Sequence, residues 1–216
     1  MNPGVDLIDF GDAHGVTDLA TFVGRARVAV PDGAVRLQVP APGLLVATVA
    51  ILEGTGLMGE GTVLGLRVVS IREAAAGVDA TVSFRSVSDR LARHREEETT
   101  FSVPATTVTP SWAGLTPPRQ GWERVGLLDG AAVRRIAEQG IAEVAEQPHQ
   151  GGGGAAVAAL RRRVWGAMSD TVPPIAAGLA FGAHVLGFLR PGETAAVATC
   201  GRWTRLSTVR GHVLMR

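Results

Sequence analysis

The sequence predicts an α+β fold: a β-rich N-terminal half, then a helical C-terminal half with closing C-terminal strands. Three observations predict it. Up to residue 103 the apolar residues fall in short, β-branched runs separated by Gly, Pro and Asp. From residue 129 they recur at three- and four-residue spacing, the signature of one helix face. After residue 193 short alternating runs return. With 216 residues, 46% hydrophobic and 19% charged, the chain is long enough to bury a core without disulfides or metals.

Each element follows from its residues. A short helix is expected over 18–24. Strands over 27–30 and 34–39 flank Pro31, Asp32 and Gly33, a sequence suited to a hairpin turn. The run 44–52 is almost wholly apolar, as in a strand covered on both faces. Further strands are expected over 62–71, 78–84 and 99–103, with a short helix over 86–95. Residues 104–122 carry Pro104, Pro110, Pro117 and Pro118 with Trp112 and Trp122, and read as a connection between 1–103 and 123–216. It is either a crossover pinned by its two indoles or an extended proline segment that docks aromatics. One integrated domain is the alternative to this division.

In the second half, Asp129 is a candidate N-cap for a helix whose apolar face holds Val133, Ile136, Ala137, Ile141 and Val144. Residues 151–154 are all Gly and read as a flexible break. A second helix is expected over 155–168. A third, over 174–189, is apolar on every side, with Gly178, Gly182 and Gly187 making a small-residue face for another backbone or a second subunit. Homo-oligomerisation through this Gly/Ala-rich helix, or through a sheet edge, is therefore expected. Strands over 195–200, 203–208 and 212–214 close the chain. No internal repeat is present.

The absences narrow the chemistry. All 21 basic residues are Arg, and the chain has no Tyr and one Cys, Cys200. A P-loop lysine, a pyridoxal Schiff base and a kinase-type lysine are excluded, as is any tyrosine nucleophile. So are an internal disulfide, a CxxC pair, a multi-Cys zinc site and a four-Cys iron–sulfur cluster. The formal net charge of +1 argues against a basic nucleic-acid coat, so nucleic acid is not an expected partner. The first ten residues lack the basic and apolar regions of a signal peptide. The longest apolar stretch, 172–189, carries Pro173, Pro174 and His184 and is at the short limit for a bilayer span. A cytoplasmic protein with no membrane helix is expected.

Several clusters were weighed for chemistry. Gly54, Gly56 and Gly59 form a GxGxxG after a buried strand, with Glu73 near the spacing of a ribose-binding acid. The fingerprint requires a helix after the glycines, and the continuation is β-branched and Gly-rich, so a hairpin loop is expected instead. Asp6, Asp9, Asp12 and His14 offer oxygen and imidazole ligands, but at the wrong spacing for a calcium loop; they read as a solvated acidic arm. Arg161, Arg162 and Arg163 are consecutive on a helix and cannot all face one ligand. Arg90, Arg93 and Arg95 run into Glu96, Glu97 and Glu98 and read as surface.

The C-terminal stretch is the candidate ligand site. After Glu193 no acid occurs, while Arg202, Arg205, Arg210 and Arg216 do, together with Trp203 and His212. Guanidinium forks bind phosphate or carboxylate at two points, and an indole stacks on planar groups. Arg202, Trp203, Arg205, His212 and His184 are accordingly the candidate anion-binding residues. The alternative is that these Arg side chains pair with the protein's own acids, the N-terminal Asp residues included. A Cys200/His pair would need His184 and His212 to meet beside it. No HExxH or GxSxG is present. No cofactor and no metal are expected.

The stretches 111–123 and 201–214, with their Trp, Pro, Gly and Arg residues, and the overall Arg/Ala/Gly bias are carried by a recognisable pattern. On them the chain resembles an uncharacterised protein family of high-GC actinobacteria. The resemblance implies no activity, cofactor or site residue. Two readings remain. One is a non-enzymatic binding or interaction protein. The alternative is a small-molecule enzyme or ligand-binding domain for an anionic substrate.

Overall fold

The computed structural model describes residues 6–56, 58–74, 77–95, 97–146 and 154–216. It is mixed α+β and comprises two compact units, divided within two strands and after Gly114. Of the glycine break expected at 151–154, residues 151–153 lie outside the described residues and Gly154 opens a helix.

The first unit comprises the described residues of Met1–Ala50 and Leu66–Gly114. It opens with β1 (Leu7–Asp9) and α1 (Ala13–Ala29). Next come β2 (Ala34–Ala41), β3 (Leu44–Leu52, to Ala50 in this unit) and β4 (Val63–Ser70, from Leu66). Then follow β5 (Glu73–Ala74), β6 (Asp79–Ser83), α2 (Phe84–Leu91), β7 (Thr100–Ser102) and a 3₁₀ turn at Ser111–Gly114. The strands order as β6-β2-β3-β4 and, separately, β5-β1-β7.

Helix α1 replaces both the short helix expected at 18–24 and the strand expected at 27–30. Val16, Leu19, Phe22, Val23 and Ala26 form one buried stripe at helical spacing. That stripe outweighs the β-branched residues around it, because each large side chain buried contributes about 1.5–3 kcal/mol. Asp12 caps the helix by accepting from Gly15 N at 2.9 Å. The turn at 31–33 therefore joins a helix to a strand. Of the acidic arm expected at Asp6, Asp9, Asp12 and His14, all but Asp9 are exposed. Asp9 lies on β1 and accepts from Gly11 N at 2.8 Å, and Asp18 takes a two-point contact from Arg67 at 2.6 and 2.8 Å. Arg36 grips Asp79 at 2.7 Å through two nitrogens and donates to Ala113 O at 3.0 Å, holding the 3₁₀ turn and its buried Trp112.

The second unit comprises the described residues of Ile51–Gly65 and Leu115–Arg216. After the start of β4 come β8 (Glu123–Asp129), α3 (Gly130–Glu146), α4 (Gly154–Gly166) and α5 (Ala177–Val185). The strands β9 (Thr194–Cys200), β10 (Trp203–Thr208) and β11 (Gly211–Met215) close the unit as expected. β11, β10, β9 and β8 lie side by side with β8 at the end of the order, and the pairings β11–β10, β10–β9 and β9–β8 are antiparallel. Gly54 to Gly59 form a tight loop closed by a Thr55–Glu60 bridge, with no helix after it, so the dinucleotide fingerprint has no structural counterpart.

Helix α5 is shorter than the expected 174–189. Residues before it stay extended, because Ser169 exchanges hydrogen bonds with Ile175 and Met168 bridges Ala176. At its far end Gly187, at φ +66°, lets its own N–H reach His184 O while Phe188 N–H reaches Ala183 O. This pair of bonds closes a helix and needs a left-handed residue. The small-residue face is an internal one. A Cβ on Gly182 would lie 2.8 Å from Val213 and 3.0 Å from Val63, and one on Gly178 3.1 Å from Val63. Neighbouring strands fill that face, so it offers no surface to a second copy, and the expected interface through the helix is withdrawn.

Candidate functional site

Strand alternation decides which basic residues share a surface. Arg205 on β10 lies opposite Ala198 on β9 and Leu214 on β11, and Ala198 lies opposite Arg124 on β8. Ser207 lies opposite His212, and Trp203 opposite Cys200. Period two then places Arg124, Cys200, Trp203, Arg205, Ser207, His212 and Arg216 on one face of the unit's sheet. Val213, between His212 and Leu214, faces the other way, toward Gly182 of α5.

On this face guanidinium groups and indoles alternate. The Arg205 guanidinium stands 4.4 Å over the Trp122 ring, and that of Arg216 stands 5.8 Å from the buried Trp203 ring. Trp122 is itself held, its indole N–H donating to Pro118 O at 2.9 Å. Such cation–ring contacts contribute about 0.5–2 kcal/mol. They are the partners these two cations have: the Nε atoms of Arg205 and Arg216 are buried with no hydrogen-bond acceptor, and neither residue makes an ion pair among the described residues. Burial lowers the pKa of Arg205, although a guanidinium stays charged at any working pH. His212 bonds Ser207 Oγ at 2.9 Å through Nδ1. Burial first, and the Arg205 charge second, hold its pKa below the usual imidazole value.

Of the residues singled out from sequence, the structure gathers Trp203, Arg205 and His212. Arg202 sits at the β9–β10 turn, largely exposed, 4.0 Å from Glu60. His184 ends α5, which packs against the opposite sheet face, so it does not join Cys200 and His212 in a nucleophilic pair. Cys200 instead rests 3.7 Å from Gln120 O. Arg210 faces Glu193 at 3.9 Å. The N-terminal acids have partners of their own, since Asp9, Asp12 and Asp18 bond within the first unit. The sequence offered Trp122 as an indole of the 104–122 connection and not as a partner of Arg205, because that contact joins positions far apart in the chain. Arg216 was legible through its period-two relation to His212.

Among the described residues no group of three His, Cys, Asp or Glu is set to hold a metal ion, and no helix is long and apolar enough to cross a membrane.

The fold is that of the DNA polymerase sliding clamps. The structure superposes on a putative DNA polymerase III beta subunit from Eubacterium rectale and on the sliding clamp of Caulobacter crescentus, each with a TM-score of 0.58. The identities are 7% and 8%, with 99% of this chain and 65% of each of those chains covered. The DNA polymerase III beta subunit of Pseudomonas aeruginosa matches with a TM-score of 0.56 at 13% identity, over 97% of this chain and 63% of that one. This chain thus spans just under two thirds of the clamps it resembles, and at these identities the likeness is one of fold. By sequence, the chain belongs to the family described as Domain of unknown function (DUF8010), whose model matches residues 5–114. A second model, Domain of unknown function (DUF8185), matches residues 117–216. No curated protein matches the chain.

Proposed function

We propose that this chain is a non-enzymatic interaction scaffold that assembles with a second copy of itself through a sheet edge. The observation that carries the reading is the sliding-clamp fold, which extends over 97–99% of the chain. The solved neighbours are named as DNA polymerase sliding clamps, and the fold is the basis for proposing an accessory role here. The edge is β8, the terminal strand of its sheet. Val125 and Leu127 on it are 50% and 49% exposed. An end strand with unpaired backbone groups and apolar side chains favours pairing with another strand. The bulge at Val125 restricts that pairing to a partner of matching shape.

Nucleic acid, set aside on the net charge, has no such exclusion from the fold, since the solved neighbours are named for DNA polymerase. Any duplex contact made through the Arg side chains would weaken with salt in proportion to the number of phosphates neutralised.

Sedimentation of the Val125→Lys, Leu127→Lys variant tests the edge. Charge on an edge strand blocks strand addition, so the variant is expected to sediment as a monomer where the parent chain does not. A variant that assembles like the parent rules out β8 as the interface.

A further inference from the structure

Arg205 and Arg216 of the second unit are incompletely satisfied. Each has a buried Nε without an acceptor, and each lacks an acidic partner among the described residues. An Nε removed from water without an acceptor is unfavourable, and an indole face offsets only part of that penalty. The protein's own acids do not supply the balance. Asp9, Asp12 and Asp18 are engaged in the first unit, Glu193 faces Arg210, and Glu60 lies at Arg202. The exposed Arg124, in register with Arg205 across Ala198, adds a third positive group to the same face.

The spacing of these groups selects among anions. Arg205 lies opposite Leu214, and Arg216 is two residues further on, just past the end of β11. Such diagonal neighbours are about 7–8 Å apart. In an extended peptide, side chains on one face repeat every two residues, about 6.6–6.8 Å. Carboxylates at alternate positions of an extended segment repeat at about the backbone spacing that separates Arg205 from Arg216. We propose that the Arg205–Arg216 face docks an extended acidic segment of a partner protein, with carboxylates at alternate positions. The proposal rests on the scaffold reading, to which it adds the class of partner.

The test is fluorescence anisotropy of a labelled hexapeptide alternating Asp and Ser, with a peptide of the same composition carrying its three Asp together. The alternating peptide is expected to bind saturably and more tightly than the clustered one. The variant Arg205→Gln, Arg216→Gln is expected to lose about tenfold or more in affinity, as for removal of charge-assisted hydrogen bonds. Arg202→Gln, whose side chain lies at the turn beside Glu60, is expected to leave binding unchanged. Arg216→Gln alone, one residue past the end of β11, serves if the double variant melts early. No saturable binding, equal binding of both peptides, or equal affinity in the double variant overturns the proposal. Displacement by inorganic phosphate at the same concentration as by peptide also overturns it, in favour of a small-anion site. Self-association, measured separately, reports on the scaffold reading, so the two fail independently.

Discussion

His212 couples the candidate site to pH. Its pKa is depressed in the folded chain, by burial and by Arg205, below the ordinary 6.5. Between those two values the unfolded chain holds a proton that the folded chain does not, so stability rises with pH there. Thermal melts are therefore expected to show the second unit losing stability as pH falls below about 6.5. His212→Gln should remove that dependence; an unchanged profile would mean that another group titrates. Asp79 behaves in the opposite sense. Arg36 first, with Gln38, holds its pKa below 3.8, so its contribution is present above that pH and lost as pH falls through the lowered value. The pair is partly exposed, and Asp79→Asn is expected to cost about 1 kcal/mol at neutral pH by chemical denaturation. At this scale the site was half legible. Period two along 203–207 and 212–216 relates Trp203, Arg205, Ser207, His212 and Arg216 without a structure. Trp122 and the acids that engage elsewhere are tertiary facts, which no local pattern carries.

The helices show how one substitution changes sign with its surroundings. A Cβ on Gly140 of α3 would lie 2.5 Å from Cζ3 of Trp165, a buried ring stacked on Phe181 at 4.2 Å. Gly140→Ala gains about 1 kcal/mol of helix propensity but overpacks a filled site at about 1–3 kcal/mol, and a net loss is expected. Gly24 of α1 has open space where its Cβ would stand, so Gly24→Ala is expected to stabilise by about 0.5–1 kcal/mol. Paired denaturation curves check both; equal signs would contradict the packing described. The same balance explains which elements the sequence revealed. The closing strands and β3 are long, uniform runs, and they stand where expected. Helix α1 was drawn too short because its buried stripe is interrupted by Thr17, Thr21 and Gly24, which weaken propensity without altering the face. Helix α5 was drawn too long because apolarity continues past both ends, while Ser169 and Gly187 set its limits. The strand β8 was hidden by the helical pattern that begins at its last residue.

At the scale of the molecule, the account joins a sliding-clamp fold to an open strand edge and a face of unpaired guanidiniums. All three support the proposed role in association. The fold class was legible because it depends on the order of periodicities along the chain. The clamp likeness was not, because at 7–13% identity it resides in topology, with almost no shared residues. A scaffold that assembles through β8 has a solution mass that is a multiple of its 22.4 kDa chain. Light scattering across a hundredfold range of concentration measures that mass directly. The account predicts a discrete multiple that dissociates only on dilution; a mass of one chain at every concentration would contradict it.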